Sequence, residues 1–315
     1  MTLIGHDLAE ASWAHALSSE RMHHAWLLAG KKGLGKASFA RSAALDLVGS
    51  ASGKEHPDIL ILTHGPKDKV EAKKRDNGKP YALARGIKID QIRSMQQRLT
   101  TRPTLGDKRA VIIDPADDME PSAANALLKS LEEPPQGTYF MLVSHNPARL
   151  LPTIRSRCRT LRFPAIDTST MHDLMRRLSP DAHRADRDAA VAAAAGSPGA
   201  ALTFLSYDLG KAADLMRRIM TQGDPDFSLR GQLSAFMGNK QDVPRLKSII
   251  DLARGLLAES VPTRTNDPVS LIESHAQLVR LGYEQPIYNY DPGQLAMTIG
   301  TLLVQAGAAS GSGNG

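Results

Sequence analysis

A glycine-rich turn, set between an apolar run and a helix-forming segment, constrains this chain more than any other feature. Ala25-Trp-Leu-Leu-Ala29 is an unbroken apolar stretch of strand length. Gly30, Gly33 and Gly35 punctuate the turn, and Lys36-Ala-Ser-Phe-Ala-Arg-Ser-Ala-Ala-Leu45 opens a helix. The spacing Gly30-x4-Gly35-Lys36 is that of a phosphate-binding loop, in which backbone N–H groups surround phosphate oxygens and the lysine adds a charge. Glycine is needed because such a loop takes backbone angles closed to residues with a Cβ, and because phosphate approaches the main chain closely. One position departs from the pattern. Where Ser or Thr would ligate Mg²⁺ stands Ala37, and Ser38 lies about 100° further round the helix. Gly30, Gly33, Gly35 and Lys36 are therefore expected to suit phosphate, while the metal that hydrolysis requires lacks a ligand.

A strand that feeds such a loop belongs to a parallel sheet covered by helices, and the next segments fit that plan. Apolar runs at 59–63, 109–114, 138–144 and 160–163 read as further strands. Segments 7–21, 36–48, 89–99 and 121–133 read as helices, the third with Asp90 as its expected N-cap and the fourth opened by Pro121. The polar, Lys-rich stretch 64–88 is expected to be an exposed loop. Asp114 closes its strand well downstream of the glycine loop, where phosphate-loop proteins place a carboxylate that helps to hold Mg²⁺. Asp117 and Asp118, a turn further on, read as loop or cap residues. Ser144 or Asn146 stands where a γ-phosphate would be sensed, or simply caps its strand.

Beyond Pro164 the strands stop. Segments 168–178, 185–195, 199–206, 210–222, 228–237, 242–260, 267–282 and 291–307 read as helices punctuated by Pro, Gly and Asn, and the tail 309–315 as flexible. The net charge of +6 suits work beside nucleic acid without identifying a groove-binding element. Residues 67–109 alone hold 13 Lys/Arg against 5 Asp/Glu, a local excess of +8. That excess reads either as a DNA-facing patch or as a solvated loop and helix. No aromatic residue there suits base stacking. The single cysteine, Cys158, excludes an internal disulfide and a cysteine-based zinc site. His23 and His24 are adjacent and lack carboxylate or thiolate partners nearby, so a packed turn is expected rather than a metal site. The first ten residues have neither a basic n-region nor an apolar h-region, and no apolar run approaches a membrane span, so a cytoplasmic protein without membrane contact is expected.

Four segments together carry a family likeness. His23-His-Ala-Trp-Leu-Leu-Ala-Gly30, His56-Pro-Asp58, Ala124-Asn-Ala-Leu-Leu-Lys-Ser-Leu-Glu-Glu-Pro-Pro135 and Leu150-Leu-Pro-Thr-Ile-Arg-Ser-Arg-Cys158 resemble the bacterial clamp-loader ATPase family. The resemblance implies an α/β AAA+ module with a P-loop-type parallel sheet at 1–164, a small helical lid at 165–208 and an all-α collar at 209–308. It also implies assembly with motor subunits and a delta subunit into a hetero-pentameric ring. Through that ring the chain would work with the sliding clamp and primer–template DNA as a component of the DNA polymerase III holoenzyme. In that family the arginine of the Ser-Arg-Cys signature, here Arg157, reaches into the ATP site of the neighbouring subunit.

The departures from the family pattern are as informative. Ala37 replaces the magnesium-binding hydroxyl, Pro115 stands where motor subunits carry a glutamate, and Gly199 stands where they carry a lid arginine. Three parts of a hydrolytic site are missing while Arg157 remains. The resemblance thus implies a subunit with no intrinsic ATPase and no zinc, with non-hydrolysed ATP or ADP at Gly30, Gly33, Gly35, Lys36 and Asp114 left open. An ATP-hydrolysing motor of the same family is the alternative. A sequence-specific DNA-binding regulator ranks below both, since no reading helix is recognisable.

Overall fold

The computed structural model describes residues 4–19, 21–50, 56–260 and 268–308. The expected tail at 309–315 lies outside the described residues. The chain divides into two compact units, Met1–Ala165 and Ile166–Gly315.

The first unit alternates strands with helices: α1 (Asp7–Leu17), β1 (Ala25–Ala29), α2 (Lys36–Leu47), β2 (Ile59–Leu62), α3 (Lys69–Asp76), α4 (Ile89–Leu99), β3 (Arg109–Ile113), α5 (Pro121–Glu132), β4 (Thr138–Ser144), α6 (Pro152–Ser156) and β5 (Arg159–Arg162). All strand pairs are parallel, in the order β2-β3-β4-β1-β5. Every residue of β1 and β3 is buried, which is why their sequences show no polar alternation. Both faces of the sheet are covered. Leu27, Val111, Ile113, Phe140 and Leu142 belong to a core shared with Ile92, Met95 and Leu99 of α4 and Leu127 and Leu131 of α5. On Trp26 sits Trp13 of α1, ring centroids 5.4 Å apart, and Trp13 in turn meets Phe39 of α2 at 6.3 Å. Burying such rings edge to face adds to their area burial. The parallel sheet covered by helices, with its glycine loop after β1, is the α/β P-loop-type arrangement expected.

The His-Pro-Asp segment has a structural task at the sheet end that begins the strands. Asp58 is fully buried and accepts from the backbone N–H groups of Thr104 (2.6 Å) and Leu105 (2.9 Å). The Arg109 guanidinium lies 3.5 Å away and donates to the carbonyls of Arg98, Thr101 and Arg102. Burial opposes the charge on Asp58, but the two N–H donors and Arg109 hold its carboxyl below the usual range. Arg109 is thus withdrawn from the basic stretch 67–109.

Two local expectations are corrected. Residues 64–88 contain α3, an exposed helix with no buried residue. Asp68 caps it by accepting from Val70 and Glu71 N–H, and Glu71 pairs with Lys74 at 2.6 Å. The N-cap of α4 is Lys88, whose N–H is met by the Gln91 side chain at 3.0 Å; Asp90 lies inside the first turn.

The second unit is all helical: α7 (Thr168–Leu178), α8 (Arg184–Ala193), α9 (Pro198–Ser206), α10 (Gly210–Gln222), α11 (Ser228–Met237), α12 (Val243–Ser260), α13 (Pro268–Tyr288) and α14 (Pro292–Ala308). α7, α8 and α9 pack on one another; α11 and α10 pack on α14, and α12 on α13. Met171, Met175, Ala190, Ala201 and Phe204 fill the former group; Leu215, Leu233, Ile249, Leu257, Ile299 and Leu303 are among the buried residues of the latter. α13 continues past the expected end at 282 to Tyr288. Among the described residues, no helix is long and apolar enough to cross a membrane.

Candidate functional site

The glycine loop leaves β1 and enters α2 as its spacing requires. Gly33 and Gly35 hold φ of +84° and +83°, and Gly35 is the left-handed residue from which α2 starts. Gly30 is needed for a different reason: a Cβ there would stand 2.3 Å from the Phe163 carbonyl oxygen. Lys36 is buried, 2% exposed, and its ammonium donates to the carbonyls of Gly30 and Lys31 at 2.6 Å each. Burial lowers its pKa to about 8, against the pull of Asp117 and Asp114. The loop therefore has the N–H cradle and cation that fit a phosphate group. Ala37 offers only a methyl group at the first turn of α2, so Mg²⁺ does not fit in the same way.

Two carboxylates face this lysine. Asp114 follows β3; burial raises its carboxyl above the usual range, and Arg41, Lys36, His64 and Lys32 pull it back. Asp117 is the residue that sequence reasoning underrated. It is buried and accepts from Ser144 Oγ (2.5 Å), His145 N–H (2.5 Å) and Asn146 N–H (3.0 Å). It caps a turn, as expected, but the turn belongs to β4 rather than to its own segment. Ser144 is thereby occupied as a donor to Asp117, and the Asn146 side chain accepts from Ala148 N–H at 3.3 Å. Asn146 thus caps the turn that follows it, while Ser144 braces Asp117. Beside them, burial and the charges of Lys36 and Lys32 hold the His145 imidazole at about 4, so it is neutral at pH 7. Among the described residues, no group of three or more His, Cys, Asp or Glu is placed to hold a metal ion. His23 and His24 stack on each other at 4.7 Å, and His24 reaches the Leu131 carbonyl at 2.9 Å.

Arg157 sits apart from the loop, as the C-cap of α6. Ile154 of that helix is fully buried in the sheet core, which fixes the helix, while the Arg157 side chain remains 35% exposed. Its guanidinium pairs with Glu132 of α5 at 2.6 Å and donates to the Thr153 carbonyl at 2.9 Å. Arg155 on the same helix is exposed. Burial pushes the neighbouring Cys158 thiol up to about 12, which keeps it protonated and unreactive at neutral pH.

With this geometry in view, the family profile described as DNA polymerase III, delta subunit, matches residues 5–167, just over half of the chain. The chain belongs to the DNA polymerase III delta-subunit family. Among its relatives, DNA polymerase III subunit delta' of Pseudomonas aeruginosa is 31% identical over 205 residues, covering 60% of this chain and 58% of that protein. Subunit delta' of Escherichia coli is 34% identical over 160 residues, 50% of this chain and 46% of the relative. Subunit gamma/tau of Mycobacterium tuberculosis is 30% identical over 224 residues, 67% of this chain and 37% of the relative. The matches thus span from about a third to somewhat over half of these curated relatives.

Within this family member, the profile match takes in the glycine loop, Asp114, Pro115 and Arg157 but stops before Gly199. Gly199 lies in the first turn of α9 in the second unit, where Ser197 caps the helix by accepting from Ala200 N–H at 3.3 Å. The first turn of α9 therefore carries no cation at this position.

Proposed function

We propose that this chain is a non-hydrolysing subunit of the replicative clamp loader. It assembles with motor subunits and a delta subunit in a hetero-pentameric ring and supplies Arg157 to the ATP site of a neighbouring motor subunit, so that the sliding clamp is loaded on primed DNA. The family membership and the delta' relatives support the complex. The observation that carries the division of labour is the contrast between a phosphate loop that lacks its magnesium ligand and a Ser-Arg-Cys arginine held at the surface. A guanidinium stays charged at every physiological pH and offers a planar fork of donors. Placed in trans against a γ-phosphoryl group, such a finger accelerates transfer by about 10³–10⁵ where it has been characterised.

On this reading the ring contacts run through the collar, 209–308, and the lid is 165–208. The chain's own loop retains ATP or ADP without cleaving it, or stays closed on Lys36. The gamma/tau relatives support a second reading, an ATP-hydrolysing motor of the same family; Ala37, Pro115 and Gly199 argue against it. Titrating the chain into motor and delta subunits, with Mg²⁺, ATP, clamp and primed DNA present, separates the two. A subunit that completes a neighbour's site has no turnover alone, and turnover of the mixture climbs to a plateau at a fixed stoichiometry. Magnesium-dependent turnover by the isolated chain selects the motor reading instead.

A further inference from the structure

Arginines crowd the segment after β4, and their environments differ. Arg149 meets Asp118 at 3.5 Å, and the Arg159 guanidinium lies 5.3 Å from the Trp26 ring centroid. Arg157 has a short charged bond to Glu132 at 2.6 Å, reinforced by the Thr153 carbonyl at 2.9 Å. These two bonds engage Nη2 and Nη1 and leave other N–H donors of the guanidinium for an oxyanion.

Both ends of this bridge stand on rigid ground. Leu131, next to Glu132, is 1% exposed in the sheet core, and its carbonyl is anchored by His24. Ile154, below Arg157, is 0% exposed in the same core. Glu132 is also the last residue of α5, where a negative charge opposes the helix dipole. The helix itself gives no reason for a carboxylate there; the partner across the gap does.

We propose that Glu132 is the positioning residue of Arg157. With the Thr153 carbonyl it fixes the guanidinium plane, so that the finger meets the triphosphate of an adjacent subunit already oriented and few rotamers are lost on engagement. This inference rests on the reading of Arg157 as a finger in trans.

The test uses the reconstituted loader with clamp, primed DNA and Mg-ATP, comparing wild type with Glu132→Ala, Glu132→Gln, Arg157→Ala and the Glu132→Ala/Arg157→Ala pair. Glu132→Ala is expected to lower kcat about tenfold at an unchanged KM for ATP, and Glu132→Gln, which keeps an acceptor, about threefold. The pair is expected to match Arg157→Ala alone, because a positioning residue has nothing to act on once the arginine is gone. A purely structural role would give additive losses and a lower melting temperature, and that result overturns the proposal. Full activity of Glu132→Ala beside an inactive Arg157→Ala removes the positioning role and leaves the finger standing. Faster turnover of Glu132→Ala makes the pair a latch instead, which also overturns it. Full activity of Arg157→Ala removes both. If Glu132→Ala does not assemble, the threefold kcat loss of Glu132→Gln, absent in the Arg157→Ala background, decides the matter.

Discussion

Two cations of the α/β unit, Lys36 and Arg157, are both bonded to carbonyls of their own local element, yet they stand in opposite surroundings. Lys36 is 2% exposed, closed onto Gly30 and Lys31 and faced by Asp114 and Asp117. Arg157 is 35% exposed, and its carboxylate partner is itself 48% exposed. The first arrangement is part of the interior, so its cation is costly to remove and its loop is self-satisfied. The second is a half-exposed pair, worth little to the fold. One cation is built into the interior of this chain, and the other, on the proposed function, serves a neighbour.

The largest effect that would break this contrast concerns stability. Lys36→Ala removes the donor to the Gly30 and Lys31 carbonyls and the buried cation that faces Asp114 and Asp117, and is expected to cost about 2–4 kcal/mol, whereas Arg157→Ala costs at most about 1 kcal/mol. Urea unfolding followed by the fluorescence of buried Trp13 and Trp26 measures both, and equal costs would dissolve the contrast. Asp117→Ala comes next, at about 1–3 kcal/mol, because the N–H groups of His145 and Asn146 lose their acceptor.

A smaller effect appears in pH. The folded pKa of Lys36 is about 8, against 10.5 for the free side chain. Between those values the unfolded chain binds more protons, so the folded state gains stability as pH rises through that window. The gain is at most about 1.4 kcal/mol per pH unit. Below about pH 8 Lys36 is charged in both states, so the cost of desolvating its charge no longer changes with pH. Replacing Lys36 by Met is expected to flatten the rise, and an unchanged profile would show that the lysine is not desolvated. The smallest expected effect is none: Ala37→Thr restores one magnesium ligand, but Pro115 and Gly199 still lack their groups, so coupled-assay turnover of the isolated chain stays at background. Appreciable turnover from this single change would show that the loop was one hydroxyl from a motor.

Much of this was legible in the sequence, for physical reasons. Fully buried parallel strands announce themselves as unbroken apolar runs, and the glycines at 30, 33 and 35 mark a turn that side chains cannot make. What stayed hidden depends on contacts between distant segments or on purely local capping. α3 has no apolar face to read; its start at Asp68 and its Glu71–Lys74 pair were the available signals. The Asp90 expectation failed because the Gln91 amide, three residues after Lys88, decided where α4 begins. Asp117 was seen as a cap, but its target at 144–146 became visible only when β3 and β4 were laid side by side. The Glu132–Arg157 bridge likewise joins two helices that sequence spacing does not relate.

The most direct test of the account is ATP turnover by the reconstituted loader carrying Arg157→Ala, with the mass of the assembly measured on the same sample. On the proposed function the pentamer stays intact and its clamp- and DNA-stimulated turnover falls by about 10³ or more at the site that Arg157 completes. An intact pentamer with undiminished turnover would contradict it and leave this chain as a scaffold in the ring.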